Sequence, residues 1–387
     1  MKRAMSMSVV GILLALCLFF AGCLPNNPSL PSSASDWTVM VFMNGDNDLA
    51  QDAWQDFNSM EMVGSTDRVN IVVQMDTPRL GTYRYLVTQD TSTNEITSPV
   101  LESLGNVDMG NYNALIDFVR FCVERYPAKQ YALILWNHGG GFRGKDISFD
   151  FSSGNAITIP QLGYALSQIR NLIGKKVDLL GMDACLMAMV EVAYEVRDYA
   201  DLLVASEEYV PGEGWDYVAF LSSLVMTPSL RPEQLARVIV DTYVDSYTTI
   251  EVTQSVVDLE ALTPLVQSID ALSQAVLADT LTPPRLYLEV GDRALYFGDY
   301  DFVDLGDLAR LWQSWPTIRS PLVKERTTQV ANALAQAVVY ERNNAGKTLG
   351  GLSIYFPYQH YDSRYDALAF ASSTSWDDML KHLFRYR

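Results

Sequence analysis

Two segments decide the fold of this chain: YALILWNHGGG at residues 131–141 and VDLLGMDAC at residues 177–185. Each is a short apolar run that ends at a reactive side chain, and runs of this length are typical of buried strands in a parallel sheet. His138 and Cys185 then follow the carboxyl ends of two strands, where open α/β sheets collect ligands. The pattern predicts a cysteine nucleophile with a histidine base.

Outward from these segments, strands and helices alternate along the chain. Strands are predicted at Trp37–Met43 and Val69–Met75, and helices at about 49–62, 111–125 and 159–173. Such alternation implies parallel strands with right-handed crossovers, and hence an α/β fold. Thr82–Thr88 alternates in polarity and is predicted to be an antiparallel neighbour.

The chain beyond Asp216 is predicted to be mainly helical. Apolar residues recur there at the 3-4 spacing of amphipathic helices, over Pro232–Asp245, Leu262–Ala278, Leu305–Trp312 and Ser320–Tyr340. Leu349–Pro357, which has glycines near its start and a proline at its end, is predicted to contain a late strand. We expect one domain over residues 37–387, with a helix-rich portion at about 230–345.

The cysteines allow two interpretations. Leu186–Val196 is predicted to be a helix, which would place Cys185 at a helix N-terminus and lower the pKa of its thiol. Cys122 lies among apolar residues at helical spacing, which favours packing in the core. A disulfide between Cys122 and Cys185 is the alternative in an oxidising compartment.

The glycines after His138 resemble a dinucleotide-binding motif, because residues 139–144 match G-x-G-x-x-G. That motif opens directly into a helix, whereas Lys145–Gly154 is polar and loop-like. The glycines are better explained as backbone that approaches a substrate closely, and the Gly139 N–H is predicted to bind an oxyanion.

An acidic and aromatic loop at Glu207–Asp216 follows a predicted strand at Leu202–Ser206. Carboxylates beside aromatic rings suit a long cationic side chain. Asp183, at the end of its strand, is the first candidate for such a pocket, although it could instead cap the following helix. Glu213 and Asp216 are the candidates for a second carboxylate, and the sequence does not choose between them.

The first residues are predicted to direct export. Residues 1–22 combine Lys2 and Arg3 with an apolar run and small residues, which is typical of a secretory signal. FAGC at residues 20–23 resembles a bacterial lipobox, so Cys23 is predicted to be acylated and to hold the protein at the cell envelope through a Pro/Ser-rich tether at 23–36. A plain secreted protein and an uncleaved N-terminal anchor are the alternatives.

The net charge of −18 argues against nucleic acid as a partner. No metal site or cofactor is expected, since the zinc and phosphate-loop motifs are absent from the sequence. Asn44–Asp48 could be a calcium loop, but it fails the EF-hand pattern, and capping of the next helix is preferred. We expect a monomer.

Several blocks of this sequence resemble the clostripain-like cysteine peptidases. They are the strands before Asn137-His-Gly-Gly and Asp183-Ala-Cys185, the segment ASEEYVPGEGW at 205–215, the opening WTVMVFM at 37–43 with its Asp-Asn-Asp turn, and GLSIYFP at 351–357. Their order is the same as in that family. The resemblance implies a caspase-like α/β/α fold with a mostly parallel central sheet. Calcium dependence and self-cleavage occur in some members.

The resemblance also implies an activity, which is hydrolysis after Arg or Lys by a Cys–His dyad, with Asp183 lining the specificity pocket. Cys185 would attack the scissile carbonyl, His138 would protonate the leaving amine, and the N–H groups of Cys185 and Gly139 would hold the oxyanion. Two other functions stay open. The chain could be a catalytically silent surface lipoprotein that binds peptides or other ligands, or an esterase or amidase acting on small molecules.

Overall fold

The computed structural model describes residues 34–143, 146–298 and 300–387. The predicted signal segment, Cys23 and most of the tether lie outside the described residues. Residues 34–387 form one compact unit. Within the described residues, no helix has both the length and the apolar character needed to span a bilayer.

The structure has strands and helices throughout. The strands are β1 (Ser35–Asn44), β2 (Val69–Thr77), β3 (Gly81–Leu86), β4 (Val100–Gly105), β5 (Ala128–Trp136), β6 (Ile147–Asp150), β7 (Asn155–Ile157), β8 (Val177–Asp183), β9 (Ala200–Ala205), β10 (Thr253–Asp258), β11 (Tyr296–Phe297), β12 (Phe302–Asp304), β13 (Val338–Asn343) and β14 (Ser353–Tyr355). The helices are α1 (Ala50–Glu61), α2 (Tyr112–Arg125), α3 (Ile159–Ile173), α4 (Val190–Val196), α5 (Tyr217–Met226), α6 (Pro232–Ser246), α7 (Leu262–Leu277), α8 (Pro284–Gly291), α9 (Leu305–Ser314), α10 (Pro321–Ala337), α11 (Ala369–Ser373) and α12 (Trp376–Phe384), with a 3₁₀ helix at Ser363–Ala367.

A nine-stranded sheet organises the fold, in the order β13-β10-β9-β8-β5-β1-β2-β3-β4. The five central strands β9, β8, β5, β1 and β2 pair in parallel. The edges are antiparallel, and only β3 and β10 run against the other strands of this sheet. Two smaller sheets, β11-β12-β14 and β6-β7, lie outside it. The mostly parallel α/β sheet predicted from the sequence is confirmed.

Helices cover both faces of the sheet, because the central strands are apolar on both sides. Met40 and Phe42 of β1 face a core that includes residues of α2, α3 and α4. Val39 and Val41, with the opposite parity, face a second core with residues of α1, α5 and α6. Alternate side chains of one strand therefore supply two apolar layers, which gives the three-layer α/β/α arrangement.

Three helix predictions need correction. The helix predicted at Leu186–Val196 begins only at Val190, after an irregular turn. The helix predicted to extend to Tyr340 ends at Ala337, and the chain continues as the edge strand β13. The part beyond Asp216 also contains β10, which pairs with β9 and extends the sheet. β13 is only half-buried, and β10 has polar residues at four of its six positions, so neither strand has a clear apolar pattern.

The carboxyl ends of the parallel strands meet at one edge of the sheet. Asn44 at the end of β1 pairs with Asp76 of β2, and Trp136 at the end of β5 pairs with Asp183 at the end of β8. The loops that leave these strands converge there, so side chains far apart in the sequence become neighbours.

Candidate active site

His138 and Cys185 line the same cavity at this edge of the sheet. His138 follows β5 directly, and Cys185 lies two residues after the end of β8. The cavity has a volume of about 230 Å³ and is lined by Leu49, Trp136, Asn137, His138, Asp183, Cys185, Tyr209, Val210, Pro211, Gly212 and Gly214. Because β5 and β8 are adjacent and parallel, their fixed ends hold the imidazole and the thiol on the same side.

The Cys185 thiol is held by the backbone of the loop after β9. The Val210 N–H donates to Sγ with an N···S distance of 3.3 Å, and Sγ lies 3.6 Å from the Val210 carbonyl oxygen. Burial raises the pKa of the Cys185 thiol. Hydrogen bonds from the Val210 and Gly139 N–H groups lower this pKa, whereas the negative charges of Asp183 and Glu208 raise it further.

The expected lowering of the Cys185 pKa by a helix N-terminus is therefore wrong. α4 begins at Val190, and Leu186 adopts a left-handed backbone with φ of +60° in the turn between. The N-terminal dipole acts within about one turn of a helix, so it does not reach the thiol directly. Because its pKa is raised, the Cys185 thiol is neutral near neutral pH and would need a base in order to act as a nucleophile.

His138 has a carboxylate partner that the sequence did not indicate. Its Nε2 lies 2.8 Å from Oδ1 of Asp48, in the turn between β1 and α1. A carboxylate accepts hydrogen bonds, so Nε2–H donates and Nδ1 is the nitrogen left for proton transfer. The turn itself is ordered by Asn47, whose Oδ1 accepts from the Leu49 N–H. Leu49 occupies the N-cap of α1 without a side-chain cap, so the capping role predicted for this turn is wrong.

Gly139 lies against the backbone of the nucleophile. A methyl group in place of its hydrogen would lie 2.4 Å from the Cys185 carbonyl oxygen, a contact that no side chain can make. Glycine is therefore required here by close approach to the Cys185 backbone, whereas the sequence had suggested close approach to a substrate. Gly140 and Gly141 continue into a turn instead of a helix, and Gly139 forms an antiparallel bridge with Ile147. The rejection of a dinucleotide site is consistent with this path.

Asp183 is buried at the inner end of the cavity. Its Oδ2 accepts hydrogen bonds from the Trp215 N–H at 3.2 Å and from the Tyr217 hydroxyl at 3.1 Å. Its Oδ1 is buried without a hydrogen-bond partner. Burial raises the pKa of Asp183 to about 7. The alternative that Asp183 caps the following helix is wrong, because Met189 is the N-cap residue of α4.

Asp56, on the buried face of α1, is a second carboxylate beside Asp183. A methyl group on Gly214 would lie 2.8 Å from Oδ2 of Asp183 and 3.2 Å from Oδ2 of Asp56, so the two carboxylates flank one point of the backbone. The Trp136 Nε1–H donates to Asp56 at 2.7 Å. Burial, followed by the charge of Asp183, raises the pKa of Asp56. Asp56 is not among the site residues predicted from the sequence; its only sequence signal is its place four residues after Asp52 on the helix that follows the first strand.

The structure separates Glu213 and Asp216 from the thiol. They line a neighbouring cavity of about 420 Å³, which shares Gly214 with the first and also includes Asp56. Asp216 caps α5 through a hydrogen bond from the Ala219 N–H. Glu213 is exposed. Of the three carboxylates selected from the sequence, only Asp183 lines the cavity that holds His138 and Cys185.

The two cysteines in the described part of the chain are not bonded to each other. Both have free thiols, and Cys122, on α2, is fully buried in the core. The core role predicted for Cys122 is confirmed, and the disulfide alternative is wrong. Cys185 is the partly exposed thiol of the two, and it lines the cavity with His138.

Comparisons with known proteins identify the family of this chain. The family model described as the clostripain family matches residues 41–383. Clostripain from Hathewaya histolytica is 30% identical over 214 residues, which cover 46% of this chain and 40% of clostripain. The chain therefore matches about two fifths of the length of this curated relative.

Solved structures show the same fold. An inactive zymogen C11 protease from Parabacteroides distasonis aligns with a TM-score of 0.70 at 19% identity, covering 88% of this chain and 99% of that protein. A secreted C11 cysteine protease from Bacteroides thetaiotaomicron, in complex with an irreversible peptide inhibitor, aligns with a TM-score of 0.67 at 20% identity. The alignment covers 90% of this chain and 99% of that protein. At these identities the likeness establishes the fold, and the chemistry rests on the residues of this chain.

Proposed function

Because this chain belongs to the clostripain family of cysteine peptidases, we propose that it is a cysteine endopeptidase that cuts polypeptides after arginine or lysine. One observation carries the proposal: the Cys185 thiol, the His138 imidazole and the buried Asp183 carboxylate line one cavity at the carboxyl edge of parallel strands. A nucleophile, a base and a cation-binding group are the parts that such a reaction needs.

The raised pKa of Cys185 sets the first step of the reaction. The neutral thiol transfers its proton to His138 as the sulfur attacks the scissile carbonyl. The imidazolium then donates that proton to the leaving amine, and the C–N bond breaks to give a thioester. Water attacks the thioester with His138 as the base, which releases the acid and restores the thiol.

Two backbone N–H groups are suited to hold the oxyanion during this attack. The Gly139 N–H is directed toward the thiol, and it favours negative charge at Sγ. The Cys185 N–H belongs to the nucleophile itself. Fixed donors near a developing negative charge are worth about 3 kcal/mol each in related acyl-transfer reactions.

The specificity for a basic side chain is proposed to come from Asp183 and Asp56 together. Both carboxyl groups are buried, and burial raises the pKa of each, because their ionised forms are removed from water. A substrate guanidinium or ammonium group would supply a compensating positive charge. A neutral side chain would leave two repelling carboxylates uncompensated, which costs several kcal/mol.

A covalent labelling experiment tests the activity. A peptidyl-arginyl acyloxymethyl ketone should label the wild-type protein at Cys185, while a peptidyl-leucyl reagent of the same length should label it poorly. Cys185→Ala should abolish labelling, and His138→Ala should slow it by orders of magnitude. If the arginyl reagent does not react with correctly folded protein, the chain is a silent binding protein with this fold. Turnover of acyl esters without peptide cleavage would instead indicate an esterase.

The location of the protein is proposed to be the bacterial cell envelope. The lipobox-like FAGC at residues 20–23 and the following Pro/Ser-rich segment support acylation of Cys23. Cys23→Ala should release the protein from membranes or block its processing, with Cys122→Ala as the matched control. Unchanged membrane fractionation of the Cys23 variant would remove this proposal.

A further inference from the structure

Two acidic side chains meet in the interior, at the start of the loop that holds the Cys185 thiol. Glu207 is the second residue after β9, and Asp304 is the last residue of β12. The two residues are only 1% and 0% exposed, respectively. The side chain of Glu207 lies in hydrogen-bonding contact with that of Asp304. This contact joins the main sheet to the small sheet β11-β12-β14.

Asp304 has the donors that an ionised carboxylate requires. Its Oδ1 accepts from the Asp307 N–H at 2.5 Å, in the first turn of α9, and its Oδ2 accepts from the Gly350 N–H at 2.6 Å. Burial raises the pKa of Asp304, and these two hydrogen bonds counteract the increase. The N-terminus of α9 also favours a negative charge at this position.

Glu207 lacks such donors. Both of its carboxyl oxygens are buried without a hydrogen bond from an N–H or hydroxyl group of the described residues, although the Gly351 N–H approaches them. Burial raises the pKa of Glu207 well above its ordinary value, and the charges of Asp304 and Glu341 raise it further. An ionised carboxylate in this environment is strongly unfavourable.

No cation neutralises the pair within the part of the chain that the structure describes. The basic side chains closest to it along the sequence form ion pairs elsewhere, Arg310 with Asp307, Arg342 with Asp241 and Asp245, and Lys347 with Glu251. Two carboxylates only accept hydrogen bonds, so their contact is a hydrogen bond only when one of them holds a proton. Glu207 is the residue to hold it, because Asp304 already accepts from two N–H groups.

The chain after Glu207 reaches the nucleophile within three residues. The Glu208 carbonyl accepts from the Leu186 N–H at 3.2 Å, directly after Cys185. The Val210 N–H then donates to Sγ of Cys185 at 3.3 Å. The side chain of Glu207 attaches this same loop to β12, so it acts on the position of the groups that hold the thiol.

We propose that Glu207 keeps a proton in the folded protein, uses it to donate a hydrogen bond to the Asp304 carboxylate, and thereby positions the loop that holds the Cys185 thiol. Glu207 is a positioning residue, since it does not line the cavity of His138 and Cys185. Its effect on catalysis rests on the proposed function, whereas the proton and the hydrogen bond do not. Loss of the proton would place two carboxylates in contact without water and release the loop from β12.

Denaturant unfolding as a function of pH tests the proton. Glu207→Gln is the matched variant, because its amide donates to Asp304 at every pH. The unfolded wild type releases the Glu207 proton near pH 4 to 5, while the folded state keeps it. The ratio of the unfolding equilibrium constant of the wild type to that of Glu207→Gln should therefore rise about tenfold per pH unit from pH 5.5 to pH 7.5. The exposed Glu260→Gln is the control and should give a nearly constant ratio.

Hydrogen exchange and kinetics test the positioning. Glu207→Leu removes the donor at similar volume, so it should lose protection over residues 206–210 and lower kcat for an arginyl peptide by roughly tenfold with little change in KM. Glu207→Gln should retain both. With rising pH the wild type should lose this protection and part of its kcat, whereas Glu207→Gln should not. This pH comparison needs no Leu variant, so it decides the question even if Glu207→Leu does not fold.

Three results would overturn the proposal. They are a constant unfolding ratio for Glu207→Gln, equal damage by Gln and Leu, and wild-type protection of residues 206–210 in a folded Glu207→Leu. Unfolding and hydrogen exchange do not use peptidase activity. A wild type that fails to cleave peptides but passes both tests would therefore contradict the proposed function alone.

Discussion

His138 Nε2 lies 2.8 Å from Oδ1 of Asp48, and this contact joins the turn after β1 to the histidine after β5. The Asp48 side chain is 65% exposed, so its contribution to folding stability is small, whereas a carboxylate on Nε2 fixes the tautomer and the ring orientation. In the proposed mechanism Asp48 would therefore be a positioning residue for His138, in addition to the Cys–His dyad that the family resemblance implied.

Asp48→Ala is therefore expected to lower kcat by roughly tenfold to a hundredfold with little change in KM or melting temperature. Asp48→Asn should recover part of the loss, because the amide oxygen can still accept from Nε2–H. Steady-state kinetics on an arginyl peptide measures kcat and KM separately, and Asp67→Ala, which changes another exposed aspartate, is the control. A change confined to KM would contradict the positioning role.

Asp56→Asn tests the second carboxylate of the pocket. We expect kcat/KM for arginyl peptides to fall by roughly tenfold to a hundredfold, while slow cleavage after neutral residues is unaffected. Glu213→Gln, which changes an exposed carboxylate, should have a smaller effect. Above pH 7 the Asp56→Asn protein should be no less stable than wild type, because burial and Asp183 raise the pKa of Asp56 and make its ionisation unfavourable. Equal losses for both variants would argue against the pocket.

The reactivity of Cys185 should depend on pH in the alkaline range. Burial raises the pKa of this thiol, so the thiolate forms only as the pH exceeds the ordinary cysteine range. The rate of alkylation by iodoacetamide should still be rising at pH 9, after subtraction of the rate for Cys185→Ala. A plateau near neutral pH would mean that the resting enzyme holds a thiolate–imidazolium pair.

Glu191 should make the protein less stable as the pH rises. Its Oε1 accepts from the Tyr355 N–H and the Tyr365 hydroxyl, its Oε2 has no partner, and burial raises its pKa to about 7. The folded state then keeps a proton that the unfolded state releases near pH 4 to 5, so stability falls from there up to about pH 7. Glu191→Gln removes this loss.

Denaturant unfolding measures the effect. The difference in unfolding free energy between Glu191→Gln and wild type should shift in favour of the variant by roughly 3 kcal/mol between pH 4.5 and pH 7.5. The other buried carboxyl groups contribute equally to both proteins, so their contributions to the pH dependence cancel in this difference. A constant offset across this range would show that Glu191 does not titrate there.

Self-cleavage, if it occurs, should follow Lys145 and not Arg143. The Arg143 guanidinium is paired with Asp301, and its Nε lies 3.3 Å from Asp362, so it is held away from a pocket. Lys145 lies outside the described residues. Intact-mass spectrometry of the wild type should find a cut that Lys145→Ala prevents and Arg143→Ala leaves in place. Full activity in an entirely intact chain would exclude a requirement for self-cleavage.

The sequence by itself determined the central sheet and the two reactive residues. β8 and α3 have the bounds predicted for them, and the other parallel strands differ only at their ends. Short apolar runs bounded by glycine or charged residues favour such strands, because strands buried on both faces carry few polar side chains. The apolar runs before His138 and Cys185 stop close to these two residues, so the sequence alone could place both at one edge of the sheet.

Only the tertiary structure decided the surroundings of these residues. Asp48, Asp56 and the contact of Glu207 with Asp304 join elements that are distant in the chain, and isolated acidic residues carry no periodic signal. Cys185 is followed by an irregular turn of four residues, 186–189, where the apolar pattern had favoured a helix, and burial raises the pKa of its thiol. Local sequence sets strands and helices through their periodicity, whereas the environment of a charge is set by what the fold packs against it.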